Sequence, residues 1–387
     1  INNLILRIYL KIDSFLLYNF LQRVGFSIKR LLVSYYFNMN NEEGKVGLIR
    51  LMALCLLVVV LMVVTPLLMI KKKTQIITGE ELWGEKSEFQ GVLEVWNVDT
   101  FGGAIISKSD FLEQVAREFE SNNKGVYVCV KNMKIDEFKI AIGEGRLPNV
   151  ISFGSGIGKL IEDNLESLGE FNNVNSKVLE SGKDGDNLKA VGYIMGMYGL
   201  FSSTDKIGAL QENQKLSDIM FTSGKDVAKK KSTKHIYSIN YGKSEYIHPE
   251  RALGENIKDC LISTGDYAGY MDFVNFNKSN ILLGNMRDMV RLKRKVEKGD
   301  MSDIIVEPIT KYNDLIQYVG LIKQSNDTIK KCAELFLNNL LSESVQKQIY
   351  KTGLFSTTGE ILYDTNENFK MFECQIDKIE NIPNVFL

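Results

Sequence analysis

The stretch from Gly91 to Gly158 constrains the fold more than any other part of the chain. Three short apolar runs, Val92–Val98, Val126–Val130 and Val150–Phe153, alternate with two amphipathic stretches. That alternation specifies a parallel sheet with helices on its faces. In the first amphipathic stretch Leu112, Val115, Ala116 and Phe119 recur at helical spacing, with Ser107 or Ser109 placed to cap the helix and Asp110 favourable in its first turn. Ile135, Phe138, Ala141 and Ile142 mark the second, which ends at Gly143–Gly145. In open parallel sheets ligands lie outside the carboxyl ends of the strands. The turns Asn97–Gly103 and Gly154–Gly158 are therefore the first candidates for a binding surface.

Composition closes off several classes. A net charge of −1 with 25% charged residues gives no electrostatic case for nucleic acid. His235 and His248 are the only histidines, and the five cysteines, Cys55, Cys129, Cys260, Cys332 and Cys374, are widely spaced with no CxxC. Neither a metal centre nor a disulfide framework is expected, although one pair among the last four cysteines stays open. Gly154-Ser155-Gly156-Ile157-Gly158 follows the third strand. It departs from the dinucleotide fingerprint in spacing and in position, and only a truncated form of the nucleophile elbow is present. The better reading is a tight turn that brings a ligand close to the backbone. No cofactor and no catalytic constellation is expected.

The N-terminal part is different. From Leu51 to Ile70 there are twenty residues without a charge, enough to cross a hydrocarbon core of ~30 Å, and Lys71–Lys73 stop the run. No small-residue cleavage pair follows, and Cys55, preceded by Leu54, lies near the start of the run. Residues 47–70 therefore read as an uncleaved anchor in the lipid bilayer rather than a signal peptide. Residues 1–46 form an extension, and its first 38 residues read either as a membrane-surface segment or as sequence upstream of a start at Met39. Residues 71–90 are a polar linker. Flanking charge leaves the orientation open, because Lys45 and Arg50 before the span oppose Lys71–Lys73 after it.

At 387 residues the chain exceeds one ordinary domain. Leu188–Phe201 reads as a buried strand with interspersed glycine and aromatics, and 202–250 as a polar region with a lysine-rich stretch at 225–234, more a solvated loop than a nucleic-acid patch. Tyr267, Tyr270, Phe273 and Phe276 make 266–276 aromatic-rich. Ile281–Gly284, Ile304–Pro308 and Leu315–Ile322 read as strands, and Met286–Val296 as a basic helix. Ile329, Cys332, Ala333, Phe336, Leu337, Leu340 and Leu341 give the clearest helix, capped by Ser325 or Asn326, and Ser342 is placed to cap a second one, Glu343–Tyr350.

Several of these stretches resemble one family, the extracytoplasmic solute-binding proteins of ABC importers in the maltodextrin-binding-like group. VLEVWNVDTFGG with DFLEQVAREFESNNKGVYV is similar to that family's first strand–helix unit, and LPNVISFGSG to its third strand. LKAVGYIMGMYGLFSSTDKI, EPITKYNDLIQYVGLI and NDTIKKCAELFLNNLLSESVQKQI resemble later segments in the same order, so that the likeness spans roughly 90–360. Gly192 stands where the family usually has proline, and Ser202-Ser203 where it usually has Tyr-Asn.

The resemblance implies an α/β, two-lobed periplasmic-binding-protein-like fold (type II) with a hinge, and the apolar run at 47–70 adds one N-terminal transmembrane helix before it. It implies a bilobal domain over 91–387, with lobe 1 at about 91–185 plus 312–345 and lobe 2 at about 186–311 plus 346–387. It further implies a binding protein rather than an enzyme and, with the anchor read at 47–70, a single-pass protein of the cell membrane whose soluble domain lies on the extracytoplasmic face. Such a protein captures a small solute, a sugar or oligosaccharide, and delivers it to an ABC permease; the alternative is a ligand-sensing ectodomain signalling to a membrane partner. Trp96 reads as a cleft platform or a core aromatic, and Asp99 as a ligand acceptor or a turn cap. Ser155 is placed to hold a polar ligand. Phe101, Tyr193, Tyr198 and Tyr318 are candidate lining aromatics, with core or hinge packing as the other reading of the tyrosines. Arg287 either reaches the cleft or pairs with Asp288 or a surface acid.

Overall fold

The computed structural model describes residues 86–208, 210, 214–218, 239–254, 261–264 and 267–387. The expected extension, the anchor at 47–70, most of the linker, His235, Cys260 and the lysine-rich stretch at 225–234 lie outside the described residues. Among the described residues no helix is long and apolar enough to cross a membrane.

The first strands and helices form as the sequence pattern requires. Strand β1 is Lys86–Val98, β2 Lys124–Met133 and β3 Val150–Gly154. Helix α1 is Lys108–Asn122, with the Ser107 hydroxyl accepting from the Asp110 N–H, and α2 is Ile135–Gly143. Leu112, Val115, Ala116 and Phe119 of α1 are all buried. β1 pairs with β2 on one side and with β3 on the other, both parallel. The short helix α3 (Ser176–Ser181) and the hairpin of β4 (Lys183–Asp184) and β5 (Asn187–Leu188) lead to β6 (Val191–Met195).

The run expected as one strand, Leu188–Phe201, is two. β6 joins the first sheet, and β7 (Tyr198–Ser203) belongs to another. Gly196 and Met197 carry the chain across. At this break the Gly196 N–H donates to the Leu315 carbonyl and the Asn313 amide donates to the Gly196 carbonyl. Continuous hydrophobicity conceals the crossing, because strands buried on both faces carry no alternation.

The second sheet adds β8 (Ile239–Lys243), β9 (Leu261–Thr264), β10 (Ile281–Asn285) and β11 (Ile304–Pro308) in the order β11-β7-β10-β8-β9. Its helices are α4 (Thr204–Ile207), α5 (Glu250–Leu253), α6 (Ala268–Val274) and α7 (Met286–Glu297). After β11 the chain crosses back through 309–315 into β12 (Ile316–Leu321), which runs antiparallel between β3 and β6. Helix α8 (Asp327–Leu340) starts at Asn326, whose side chain accepts from the Thr328 and Ile329 N–H groups. Phe336 of α8 meets Phe119 of α1 edge to face at 5.3 Å. The second expected helix is shorter than its pattern, with α9 at Glu343–Gln346 followed by a 3-10 turn at Ile349–Thr352.

β13 (Phe355–Ser356) completes the first sheet, β13-β6-β12-β3-β1-β2. Thus β6 and β13, which fall in the range expected for lobe 2, lie in lobe 1. The C-terminal segment serves both lobes. In α10 (Glu367–Glu373) Phe372 stacks on Phe201 of β7 at 6.3 Å, and further on the Val385 N–H donates to the Ser181 carbonyl beside β6. Two α/β lobes joined by hinge segments result. Cys129, Cys332 and Cys374 are free thiols.

Candidate functional site

The carboxyl ends of β1 and β3 are tied together by a buried polar network. Asn97, fully buried, donates through Nδ2 to Asp99 Oδ1 at 3.0 Å and to Asn132 Oδ1 at 2.9 Å. Its Oδ1 accepts from Ser152 Oγ at 2.9 Å and from Gln317 Nε2 at 3.1 Å. Ser152 Oγ also lies 2.9 Å from the Tyr193 hydroxyl. Five strands, β1, β2, β3, β12 and β6, each supply one member. Groups inside such a network are oriented by one another, which fixes the rim of the sheet where a ligand would approach.

Lys108, the first residue of α1, enters this network from beneath. Its side chain has no exposure, and Nζ donates to Gln317 Oε1 at 2.8 Å, lies 3.4 Å from Asp99 Oδ1 and sits 3.4 Å above the centre of the Phe101 ring. Burial pushes the ammonium down from its ordinary 10.5 to about 8, and Asp99 opposes that shift. Asp99 itself keeps 26% side-chain exposure, so one carboxylate edge faces outward while Lys108 balances its charge from inside.

Next to Asp99, two hydroxyls stand without protein partners. Thr100 Oγ1 and Ser155 Oγ are buried and make no hydrogen bond, although their residues are only 6% and 5% exposed. Ser155 lies close enough to the Tyr318 phenol to perturb it, but no bond of ordinary geometry joins them. Gly154, which precedes Ser155 in the chain, lies against Thr100, and an added Cβ there would strike Thr100 Oγ1. A buried hydroxyl without a partner costs about 1–3 kcal/mol. Among the described residues no base is hydrogen-bonded to Ser155 Oγ.

The second lobe meets this rim with the ends of its own parallel strands. Arg287, at the start of α7, lies over Gly102, where a Cβ would come within 2.9 Å of its guanidinium. Tyr246, after β8, packs its backbone on Gly156, whose φ of +84° and 3.0 Å clearance disfavour a side chain. Lys139 of α2 donates to the Tyr246 hydroxyl at 3.0 Å. The hinge is held by Asp314, almost fully buried, which accepts from the Tyr198 hydroxyl at 2.7 Å, the Tyr312 hydroxyl at 3.0 Å and the His248 N–H at 2.7 Å. Burial raises the Asp314 carboxyl above its ordinary range, with these donors opposing the shift. A separate groove of about 510 Å³ between Asn173 and Ser356 shares no residue with either rim.

The candidate residues therefore divide. Asp99, Phe101, Ser155 and Arg287 come together where the lobes meet. Trp96 is in the core of lobe 1, edge-on to Phe138 at 6.4 Å with Lys131 over its ring, because α2 covers that face of β1. Tyr193 and Tyr318 are fully buried, the second with its hydroxyl 2.7 Å from Ser181 Oγ. Tyr198 belongs to the hinge through Asp314. These four side chains are buried as they are placed. Sequence reasoning missed Lys108, Thr100, Tyr246 and Gln317. Only Gln317 carries a signal, as a polar residue inside an apolar strand.

No family model matches the chain, and no curated protein does. Solved structures do match. The GacH receptor of Streptomyces glaucescens, solved unliganded and with acarbose, aligns at 15% identity over 77% of this chain and 89% of its own, with a TM-score of 0.54. Maltose-bound MalE3 of T. maritima aligns at 13% identity over 76% and 90%, with a TM-score of 0.56. The cyclic alpha-maltosyl-1,6-maltose binding protein of Arthrobacter globiformis aligns at 12% over 77% and 89%, with a TM-score of 0.55. At these identities the likeness establishes the two-lobed, maltodextrin-binding-protein-like α/β fold.

Proposed function

We propose that this chain is a solute-binding protein that holds a sugar or oligosaccharide between its two lobes, without turnover. One observation carries the reading: Thr100 and Ser155 hold buried, unpartnered hydroxyls in the two turns of lobe 1 that meet the second lobe, Gly102 lying against Arg287 and Gly156 against Tyr246. A polyhydroxylated solute supplies donors and acceptors for each of these groups at once. Closing on it adds contacts that the open form lacks, and the equilibrium shifts by that differential affinity. The proteins of like fold are named for acarbose, maltose and cyclic maltosyl-maltose, which supports a carbohydrate.

Delivery to an ABC permease, with residues 47–70 anchoring the chain in the bilayer and the lobes on the extracytoplasmic face, completes the proposal. The uncharged run at 51–70 also supports a second reading, in which a permanently tethered ectodomain reports solute occupancy to a membrane partner. Calorimetric titration of the full-length protein in detergent with a panel of saccharides, amino acids and polyamines tests the binding reading. Saccharide binding without consumption of the sugar is expected. Turnover of any panel member, or binding confined to non-sugars, contradicts it. Co-purification with a permease or with a signalling kinase separates the two readings.

A further inference from the structure

One exposed aromatic ring beside the lobe junction has no part in the function as stated above. β8, β9 and β10 are parallel, so the chain leaves all three at one end of the second sheet. After β8 Tyr246 touches lobe 1, and after β10 Arg287 does. After β9 the chain reaches Tyr267, at the head of α6. Its ring is 49% exposed and stacks on the buried Tyr270 at 5.5 Å. The Arg291 guanidinium lies 4.5 Å from the Tyr267 ring centre and is held in turn by Asp288 at 3.6 Å. A ring braced in this way loses little freedom when something stacks on it.

Arg287 and Arg291 are four residues apart on α7, hence neighbours on one face about 5–6 Å apart. Tyr267 therefore stands one helical turn from the group that touches Gly102. Among the described residues no carboxylate pairs with Arg287, whereas Asp288 is engaged by Arg291 and by the Asn285 N–H. Across the junction Lys108 balances Asp99. The amino end of α7 adds partial positive charge.

We propose that Tyr267 and Arg287 form a subsite for an acidic saccharide, the ring stacking on an apolar sugar face and the guanidinium pairing with a carboxylate, sulfate or phosphate substituent. The planar guanidinium fork matches two oxygens of such a group, and tyrosine offers a large apolar face with a polar tip. The inference rests on the solute-binding reading and narrows its ligand.

The test titrates full-length protein in detergent with neutral trisaccharides and with trisaccharides carrying one hexuronate or one sulfated hexose. Acidic sugars are expected to bind about tenfold or more tightly than neutral ones. Arg287→Gln should remove that preference, and raising the salt should weaken only the acidic ligands. Tyr267→Ala should weaken both kinds about tenfold. Both side chains are on the surface, so neither variant threatens the fold, and circular dichroism checks this. If neutral sugars bind as well as acidic ones, or Arg287→Gln keeps the preference, the inference is overturned while the binding function stands. If no saccharide of either kind binds, both fail together.

Discussion

Replacing Lys108 by methionine isolates the cost of one buried charge. The side chain is fully enclosed, and burial lowers its ammonium from 10.5 to about 8. A gap of 10.5 − 8 corresponds to about 3 kcal/mol of disfavour for the charged form at neutral pH. The folded-state value lies below the unfolded one, so the unfolded chain binds more protons between them. Stability contributed at this position therefore rises with pH, and the penalty is fully present below the folded value. Between pH 7 and about pH 9.5 the wild type should gain about 2 kcal/mol relative to Lys108→Met, whose methionine does not titrate. At pH 7 the variant also leaves Gln317 Oε1 without its donor, an offset of about 1–3 kcal/mol that is independent of pH. Urea unfolding of both proteins by far-UV circular dichroism at a series of pH values measures the difference, and the buried tyrosines, whose deprotonation is pushed upward by burial, cancel in it. A wild-type-minus-variant difference that stays flat over this range refutes the reasoning. It would mean that Asp99 and Gln317 offset the desolvation of the ammonium completely.

Other predictions follow from the rim and the core. The double variant Thr100→Val with Ser155→Ala removes two hydroxyls that have no partners, so the unliganded protein should melt at the same temperature or higher, while saccharide affinity falls about tenfold by calorimetry. Gly156→Ala places a side chain at φ +84° against the Tyr246 backbone, and should cost about 1–2 kcal/mol in urea unfolding and weaken solute binding by holding the lobes apart. Trp96→Ala should destabilise the fold by about 3–5 kcal/mol rather than remove a ligand platform, because the ring packs on Phe138 beneath α2.

Much of lobe 1 is legible in the sequence because its elements are local. Ser107 caps α1, Asn326 caps α8, and the buried stripe of α1 repeats at helical spacing. Lobe membership is less legible. Val191–Met195 and Tyr198–Ser203 read as one apolar run, and only the Gly196 hydrogen bonds to 313–315 reveal that the chain changes sheets there. The site is half legible for a similar reason. Asp99 and Ser155 follow strands and are marked by position. The aromatic candidates are marked only by residue type, and a tyrosine on a central strand such as Tyr193 or Tyr318 is as useful to a core as to a cleft. Lys108 carries no local mark, since a lysine at a helix start is ordinarily solvated. Its burial is set by Gln317 and Phe101, of which Gln317 is far away in the chain.

Hydrogen exchange read by mass spectrometry on the full-length protein tests the central claim most directly, with and without the tightest saccharide from the titrations. Residues 99–103 and 154–158 of one lobe and 244–248 and 285–287 of the other should gain protection together. Protection confined to one lobe, or none at either rim, would contradict a solute held between the two.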